Sequence, residues 1–171
     1  MKTVIAALSA SLALTAPAFA ESHAAAGMDA EAMADMVAPT GDAEAGEKTF
    51  KSCKSCHSIV NTETDEVIYK GGKTGPNLYG VAYNKAAAVE DFRYSSSLEE
   101  AGEKGLVWDE EHFIEFVTNS KDFLKEYLDD SGARSKMSYK LRKNADDVFA
   151  YLASVGPELP EMKKAEGADA K

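Results

Sequence analysis

Histidine and cysteine are scarce in this chain of 171 residues, which has three histidines and two cysteines. A structural zinc site needs about four such ligands, and no second pair of cysteines follows the first. After the N-terminal segment the sequence also lacks an apolar run of the roughly 20 residues that a transmembrane helix requires. The formal charge of −10 argues against nucleic acid or anionic lipid as a partner attracted by the net charge.

The first 20 residues have the pattern of a secretory signal peptide. Lys2 is followed by an uncharged run of 14 residues, and Ala18 and Ala20 provide the small residues of a cleavage site. We therefore expect cleavage after Ala20 and export to an oxidising compartment such as the bacterial periplasm. An uncleaved anchor is the alternative interpretation.

The rest of the chain divides into three parts by composition. Residues 21–40 are acidic and rich in alanine and methionine, and we expect this leader to be flexible. Residues 157–171 form a charged tail with few apolar residues, for which we expect the same. The folded domain is therefore predicted to span residues 41–156.

Within residues 41–156 the hydrophobic patterns are helical, and no alternating run predicts a sheet. Four N-cap residues mark predicted helix starts: Asp42, Ser96 (in a capping box with Glu99), Asp109 and Asn144. Residues 120–130 predict a further short helix. Long irregular segments at 58–95 and 129–143 indicate that something other than secondary structure organises the chain there. The fold class is predicted to be all-α.

Both cysteines lie in one short stretch, Cys53-Lys54-Ser55-Cys56, and His57 follows directly. Zinc is disfavoured because adjacent Cys56 and His57 have poor geometry for tetrahedral ligation. A thioredoxin-like dithiol would follow a buried strand, whereas an amphipathic helix precedes this pair. A disulfide would close a very short loop, stabilise little, and leave the histidine unexplained.

Covalent attachment of haem explains all three residues of the C-x-x-C-H pattern. On a helical turn, Cys53 and Cys56 lie at i and i+3 on one face, where each can form a thioether with a haem vinyl group. His57, one residue further, can turn its imidazole to the iron. Together with the export signal, the pattern predicts one covalently bound haem c.

Beyond His57 the sequence resembles the class I cytochromes c, in the large bacterial cytochrome c2/c-550 subgroup. The resemblance runs from residue 41 to about residue 155 and is carried by six segments: GDAEAGEKTFKSCKSCH, GGKTGPNLYGV, FRYSSSL, LVWDEEHFIEFV, RSKMSYK and DDVFAYL. It implies a class I cytochrome c fold, with about five helices and long loops wrapped around one covalently attached haem c.

The resemblance implies that Met137 is the axial iron ligand opposite His57. Independently of it, Met137 is the only methionine within residues 41–156 and lies in an irregular segment. His112 is the rival ligand, although its helical position predicts a solvent-facing side chain.

The resemblance also implies roles for three further residues around the haem. The Pro76 carbonyl should accept a hydrogen bond from the His57 ring, and Tyr94 and Trp108 should reach a buried haem propionate. The alternatives are that Pro76 only belongs to a turn and that the two aromatic residues only pack in the core.

Three residues depart from the family pattern: Asn84 where an arginine is common near a propionate, Phe116 where a tyrosine is usual near the methionine sulfur, and Tyr139 where a phenylalanine is common at the haem edge. For the arginine position, this implies that charge compensation of the propionate is lost or comes from another residue.

A haem held by histidine and methionine has both axial positions filled, which disfavours catalysis and suits one-electron exchange. The resemblance therefore implies a periplasmic, monomeric electron carrier rather than an enzyme. Its expected donor is a quinol–cytochrome c reductase, and its acceptor an oxidase, a photosynthetic reaction centre or another reductase. The alternative is a haem peroxidase or gas sensor with a labile methionine ligand.

The charges of the chain are unevenly placed along the sequence. Residues 131–145 carry five basic side chains and no acidic one, whereas residues 99–115 carry seven acidic side chains and one lysine. We expect a basic docking patch that steers an acidic partner to the haem edge. It includes Lys54, Lys73, Lys136, Lys140 and Lys143. The alternative is that these lysines only solubilise loops.

Overall fold

Residues 36–159 are described by the structure, a computed structural model. They form four helices and one short hairpin: α1 (Ala43–Phe50), β1 (Ile59–Val60), β2 (Val67–Tyr69), α2 (Ser96–Glu103), α3 (Glu110–Leu128) and α4 (Ala145–Val155). The predicted all-α fold class is confirmed. The predicted signal peptide, the leader up to residue 35 and the tail from residue 160 lie outside the described residues.

Side-chain caps start the first three helices. Asp42 accepts from the Ala45 amide at 2.9 Å, and Asp109 accepts from the His112 amide at 2.8 Å, both as predicted. The predicted cap at Ser96 is wrong by one residue, because the Ser95 hydroxyl accepts from the Leu98 amide at 3.3 Å. Three consecutive serines make this position ambiguous in sequence.

The start of α4 differs from the prediction in mechanism. Asn144 occupies the cap position with a left-handed φ of 60°, but its side chain accepts no hydrogen bond from the helix. Its amide nitrogen instead donates to Asp147 Oδ2 at 2.8 Å. The helix ends at Gly156, as its sequence predicts.

The short helix predicted at residues 120–130 is the second half of α3. Asn119 has non-helical dihedral angles (φ −159°, ψ 82°) and divides α3 into two segments. Asp129 then ends the helix with a left-handed φ of 52°. The break in α3 at Asn119 therefore accounts for the two amphipathic patterns in the sequence.

A hairpin also forms, although no alternating run predicts it. β1 and β2 pair antiparallel, with Ile59 opposite Tyr69. Strands of two and three residues are too short to show a period of two. The hairpin nevertheless orders part of the long segment after His57.

The core forms where α1 packs closely on α4. A Cβ on Gly46 would overlap the Asp147 carbonyl, so only glycine permits this approach. Phe50 is fully buried, with its ring centroid 5.6 Å from that of Tyr151. Because α1 leads directly into the C-x-x-C-H stretch, this helix pair positions the predicted haem attachment residues.

Residues 36–40, the end of the predicted leader, contact the domain. The Tyr83 hydroxyl donates to the Val37 carbonyl at 2.7 Å, and the Thr40 amide donates to Glu110 Oε1 at 2.9 Å. Among residues 36–159, no helix combines the length and apolar character needed to cross a lipid bilayer.

Candidate functional site

One cavity of about 380 Å³ lies between the helices and the long loops. Its walls are mostly apolar, as is usual for small-molecule and cofactor sites. All seven predicted site residues line it: Cys53, Cys56, His57, Pro76, Tyr94, Trp108 and Met137. Residues spread over 85 positions of the sequence, from 53 to 137, therefore meet around one space.

The C-x-x-C-H stretch continues from α1 as a series of turns. The Cys53 amide donates to the Phe50 carbonyl at 2.8 Å, and the His57 amide donates to the Cys53 carbonyl at 3.0 Å. These bonds keep the stretch close to helical, so that Cys53 and Cys56 lie three residues apart on one turn.

The two cysteines form no disulfide and lie in different environments. Burial raises the pKa of the half-buried Cys53 thiol. Hydrogen bonds from Thr74 and Ser55 lower the pKa of the exposed Cys56 thiol. Neither sulfur is used in a disulfide, so both remain available for thioether bonds.

The His57 ring is fixed by the loop that follows the hairpin. Its Nδ1 lies 2.9 Å from the Pro76 carbonyl oxygen, so the predicted hydrogen bond forms. Burial lowers the pKa of His57, and the hydrogen bond to Pro76 opposes that shift. Burial thus favours the neutral imidazole, and Nδ1 donates to Pro76, which leaves Nε2 free to bind a metal.

Glycines allow this loop to enclose the turn. A Cβ on Gly75 would overlap the His57 ring, and a Cβ on Gly72 would overlap the Ser55 carbonyl. The Gly75 amide donates to the Cys56 carbonyl, and the Gly72 amide donates to the Lys54 carbonyl, both at 2.8 Å. The segment that leads to Pro76 therefore bends at residues 73–75 and supports the histidine.

Met137 reaches the cavity from the segment between α3 and α4. The Met137 amide donates to Ser135 Oγ at 3.1 Å, and its carbonyl accepts from Ser120 Oγ at 2.7 Å. The rival ligand, His112, does not line the cavity. Its Nδ1 lies 3.0 Å from Asp109 Oδ2 and 3.2 Å from the Val107 carbonyl oxygen.

Tyr94 and Trp108 line the cavity and also pack in the core. Tyr94 Oη accepts from the Val89 amide at 3.4 Å, and burial raises the pKa of this hydroxyl. The Trp108 ring centroid lies 4.8 Å from that of Phe116. Within the described residues, neither the Tyr94 hydroxyl nor the Trp108 N–H donates to a protein acceptor, so both donors are available to a bound group.

Two lysines line the cavity, and no aspartate or glutamate of the described residues does so. Lys85 follows Asn84, whose Oδ1 accepts from the Lys85 amide at 2.8 Å. Lys136 Nζ donates to the carbonyls of Arg93 and Tyr94 at 2.8 and 2.5 Å. The cavity is therefore suited to a group that carries negative charge at one edge.

The residues of this site fit a covalently attached haem. Two thiols on one turn match its vinyl groups, an imidazole and a thioether match its iron, and donors and lysines match its propionates. A zinc site does not fit, because within residues 36–159 no three histidine, cysteine or carboxylate side chains come together as metal ligands.

Sequence reasoning did not identify two polar residues of this region. Lys85 had a signal, since it follows the position where an arginine is common. Ser120 had none, because a serine in an amphipathic helix does not show which loop it will contact.

No family model matches the chain. The chain is 58% identical over 115 residues to cytochrome c-551 of Roseobacter denitrificans, covering 67% of this chain and 81% of that protein. It is 42% identical over 153 residues to cytochrome c2 of Rhodobacter capsulatus, covering 90% of this chain and 96% of that protein. Among solved structures, ferric cytochrome c-550 of Paracoccus versutus is 49% identical with a TM-score of 0.65, covering 68% of this chain and 99% of that one.

Proposed function

The chain belongs to the class I cytochromes c, in the cytochrome c2 and c-550 branch, and we propose that it carries single electrons on one covalently bound haem c. The observation that carries this proposal is the convergence of the C-x-x-C-H turn and Met137 on one apolar cavity. When bound, the haem supplies an iron that alternates between the ferrous and ferric states.

Cys53 and Cys56 would hold the haem by thioether bonds, and His57 and Met137 would both bind its iron. Substrate or oxygen would then have no open site on the iron. The neutral thioether and the apolar walls favour the ferrous iron and so raise the reduction potential. The Pro76 carbonyl orients the imidazole and increases its basicity, which favours the ferric iron.

Tyr94 and Trp108 would donate to a haem propionate, and Lys85 would supply the positive charge that Asn84 lacks. The support for this proposal is that all four residues line the cavity and that no described carboxylate does. A buried or half-buried carboxylate without such partners would be costly. Charge compensation is therefore proposed to have moved by one residue along the chain.

The docking surface of the carrier is the basic patch that includes Lys54, Lys73, Lys136, Lys140 and Lys143. All five side chains are exposed. Lys54 lies within the C-x-x-C-H turn, Lys73 lies in the loop that encloses it, and Lys136 lines the cavity. A partner attracted by these lysines would meet the chain close to the haem.

The proposed partners are membrane-bound redox complexes in the periplasm. A quinol–cytochrome c reductase is the donor, and an oxidase, a photosynthetic reaction centre or another reductase is the acceptor. The acidic side chains of residues 99–115 and the basic side chains of residues 131–145 belong to separate segments of the sequence.

The decisive experiment is production in a host that attaches haem, followed by intact-mass measurement, a pyridine haemochrome assay and the optical spectrum of the native protein. We expect one haem per chain with two thioether bonds, and a spectrum that changes in the Met137→Ala variant. Carbon monoxide should bind the reduced wild-type protein poorly at neutral pH. Bare polypeptide would contradict haem binding, and ready binding of carbon monoxide would favour a peroxidase or sensor.

A further inference from the structure

The loop that carries Met137 is attached to α3 at the break in that helix. Ser120 Oγ donates to the Met137 carbonyl at 2.7 Å, and the Leu141 amide donates to the Val117 carbonyl at 2.8 Å. Asn119, between these two α3 residues, is the one with non-helical dihedral angles. The break therefore coincides with the contact between the helix and the loop.

The break makes both hydrogen bonds possible. In an uninterrupted helix, the Val117 carbonyl would accept from the amide four residues later, and a serine hydroxyl would commonly bond to its own helix. Here both groups bond to the loop instead. Ser120 is only 3% exposed, and the Met137 carbonyl is the acceptor of its hydroxyl.

Other contacts attach the same loop on its opposite flank. The Arg134 amide donates to Ser97 Oγ at 3.0 Å, and Lys136 Nζ donates to the carbonyls of Arg93 and Tyr94. These contacts hold the residues before Met137 to the start of α2. The loop therefore stays attached when Ser120 is changed, whereas the carbonyl of Met137 itself loses its partner.

We propose that Ser120 is a positioning residue for the iron ligand Met137, acting through its hydrogen bond to the Met137 carbonyl at the break in α3. The proposal rests on the proposed function, since Met137 is a ligand only when haem is bound. Ser120 touches neither the iron nor the thioether. It limits the fraction of molecules in which the loop has moved away and the sixth position is open.

This fraction can be measured with imidazole, which binds the ferric protein only after Met137 has left the iron. The apparent affinity for imidazole is proportional to the open fraction. A net hydrogen-bond contribution corresponds to a factor of about two to ten. We expect ferric Ser120→Ala to bind imidazole about two- to tenfold more tightly than wild type.

Three further variants make the experiment decisive. Thr118→Ala removes an exposed hydroxyl from the same helix and should match wild type. Ser120→Thr keeps the donor and should bind imidazole more weakly than Ser120→Ala. Met137→Ala opens the sixth position in all molecules and sets the upper limit of affinity. Denaturant unfolding of the same proteins separates positioning from stability, because a merely structural serine would lower stability without changing imidazole affinity.

The outcomes distinguish this proposal from the proposed function. If Met137→Ala binds imidazole tightly but Ser120→Ala binds it like wild type, Ser120 does not position the ligand. If Met137→Ala itself binds imidazole like wild type, Met137 is not an iron ligand, and the assignment of the sixth ligand fails together with this proposal.

Discussion

Replacing Gly75 by alanine tests how the His57 side of the site is held. A Cβ at this position would lie 2.6 Å from Nδ1 and 2.8 Å from Nε2 of the imidazole. Because carbon contacts need about 3.5 Å, the loop must withdraw by roughly 1 Å. Pro76 is the next residue, and a shift of this size would lengthen its 2.9 Å hydrogen bond beyond bonding distance.

The loss of this hydrogen bond should raise the reduction potential. The bond to Pro76 makes the imidazole more basic and so favours the ferric iron. If the hydrogen bond stabilises the ferric form by about 0.5–1 kcal/mol more than the ferrous form, its loss raises the midpoint potential by roughly 20–40 mV. The overlap should also lower the free energy of unfolding by about 1–3 kcal/mol. Spectroelectrochemical titration and denaturant unfolding measure the two effects.

Gly46→Ala is the matched control, because its Cβ would overlap the Asp147 carbonyl in the helix pair, away from the imidazole. This variant should lose stability and keep the wild-type potential. If Gly75→Ala is equally destabilised and its potential also stays unchanged, the loop does not tune His57 through Pro76.

Three further predictions concern the docking patch, the cavity and the N-terminal contact. Reversing Lys140 and Lys143 to Glu should slow electron transfer to an acidic partner at least about tenfold at low salt. Lys121→Glu on α3 should have a small effect, and equal rates would contradict the docking surface. Lys85→Gln should lower the midpoint potential by on the order of 20 mV, because loss of a nearby cation favours the ferric iron. Redox titration measures this shift, and an unchanged potential would place Lys85 away from the haem. Tyr83→Phe should lower the free energy of unfolding by about 1 kcal/mol at neutral pH, since its hydroxyl donates to the Val37 carbonyl. Burial raises the pKa of Tyr83, with the nearby Glu110 and Asp109 adding to the shift, so the unfolded chain loses this proton first as the pH rises above about 10. Wild type should therefore lose stability in that range more steeply than Tyr83→Phe, and equal pH profiles would contradict this assignment.

The parts of the site that are local in sequence could be predicted from it. The C-x-x-C-H stretch is a single turn, and its chemistry depends on spacing alone. The start of α1 at Asp42 likewise depends on an interaction within three residues. The hydrogen bond from His57 to Pro76 spans 19 residues and was expected only through the resemblance to a family.

Features that depend on packing could not be predicted in the same way. No proline or glycine lies near Asn119 to indicate the break, and the amphipathic pattern continues on both sides. Ser120 is buried because a loop 17 residues later covers it. For the cavity position of Lys85 the family pattern gave the one signal, because this lysine follows Asn84, where an arginine is common.

The two axial sides of the site are held by different kinds of contact. On the His57 side, glycines allow the backbone of the loop to touch the imidazole ring and the C-x-x-C-H turn. A side chain at Gly72 or Gly75 would overlap the Ser55 carbonyl or the His57 ring. On the Met137 side, the loop is held by hydrogen bonds from Ser120 and Lys136, by the pairing of Leu141 with Val117, and by the burial of Ala133 and Leu141 in the core. Water can replace such bonds one at a time, each at a net cost of about 1 kcal/mol, whereas close packing yields only when the domain opens. Exchange of an axial ligand should therefore occur at the thioether, and the histidine should stay bound in every variant that remains folded.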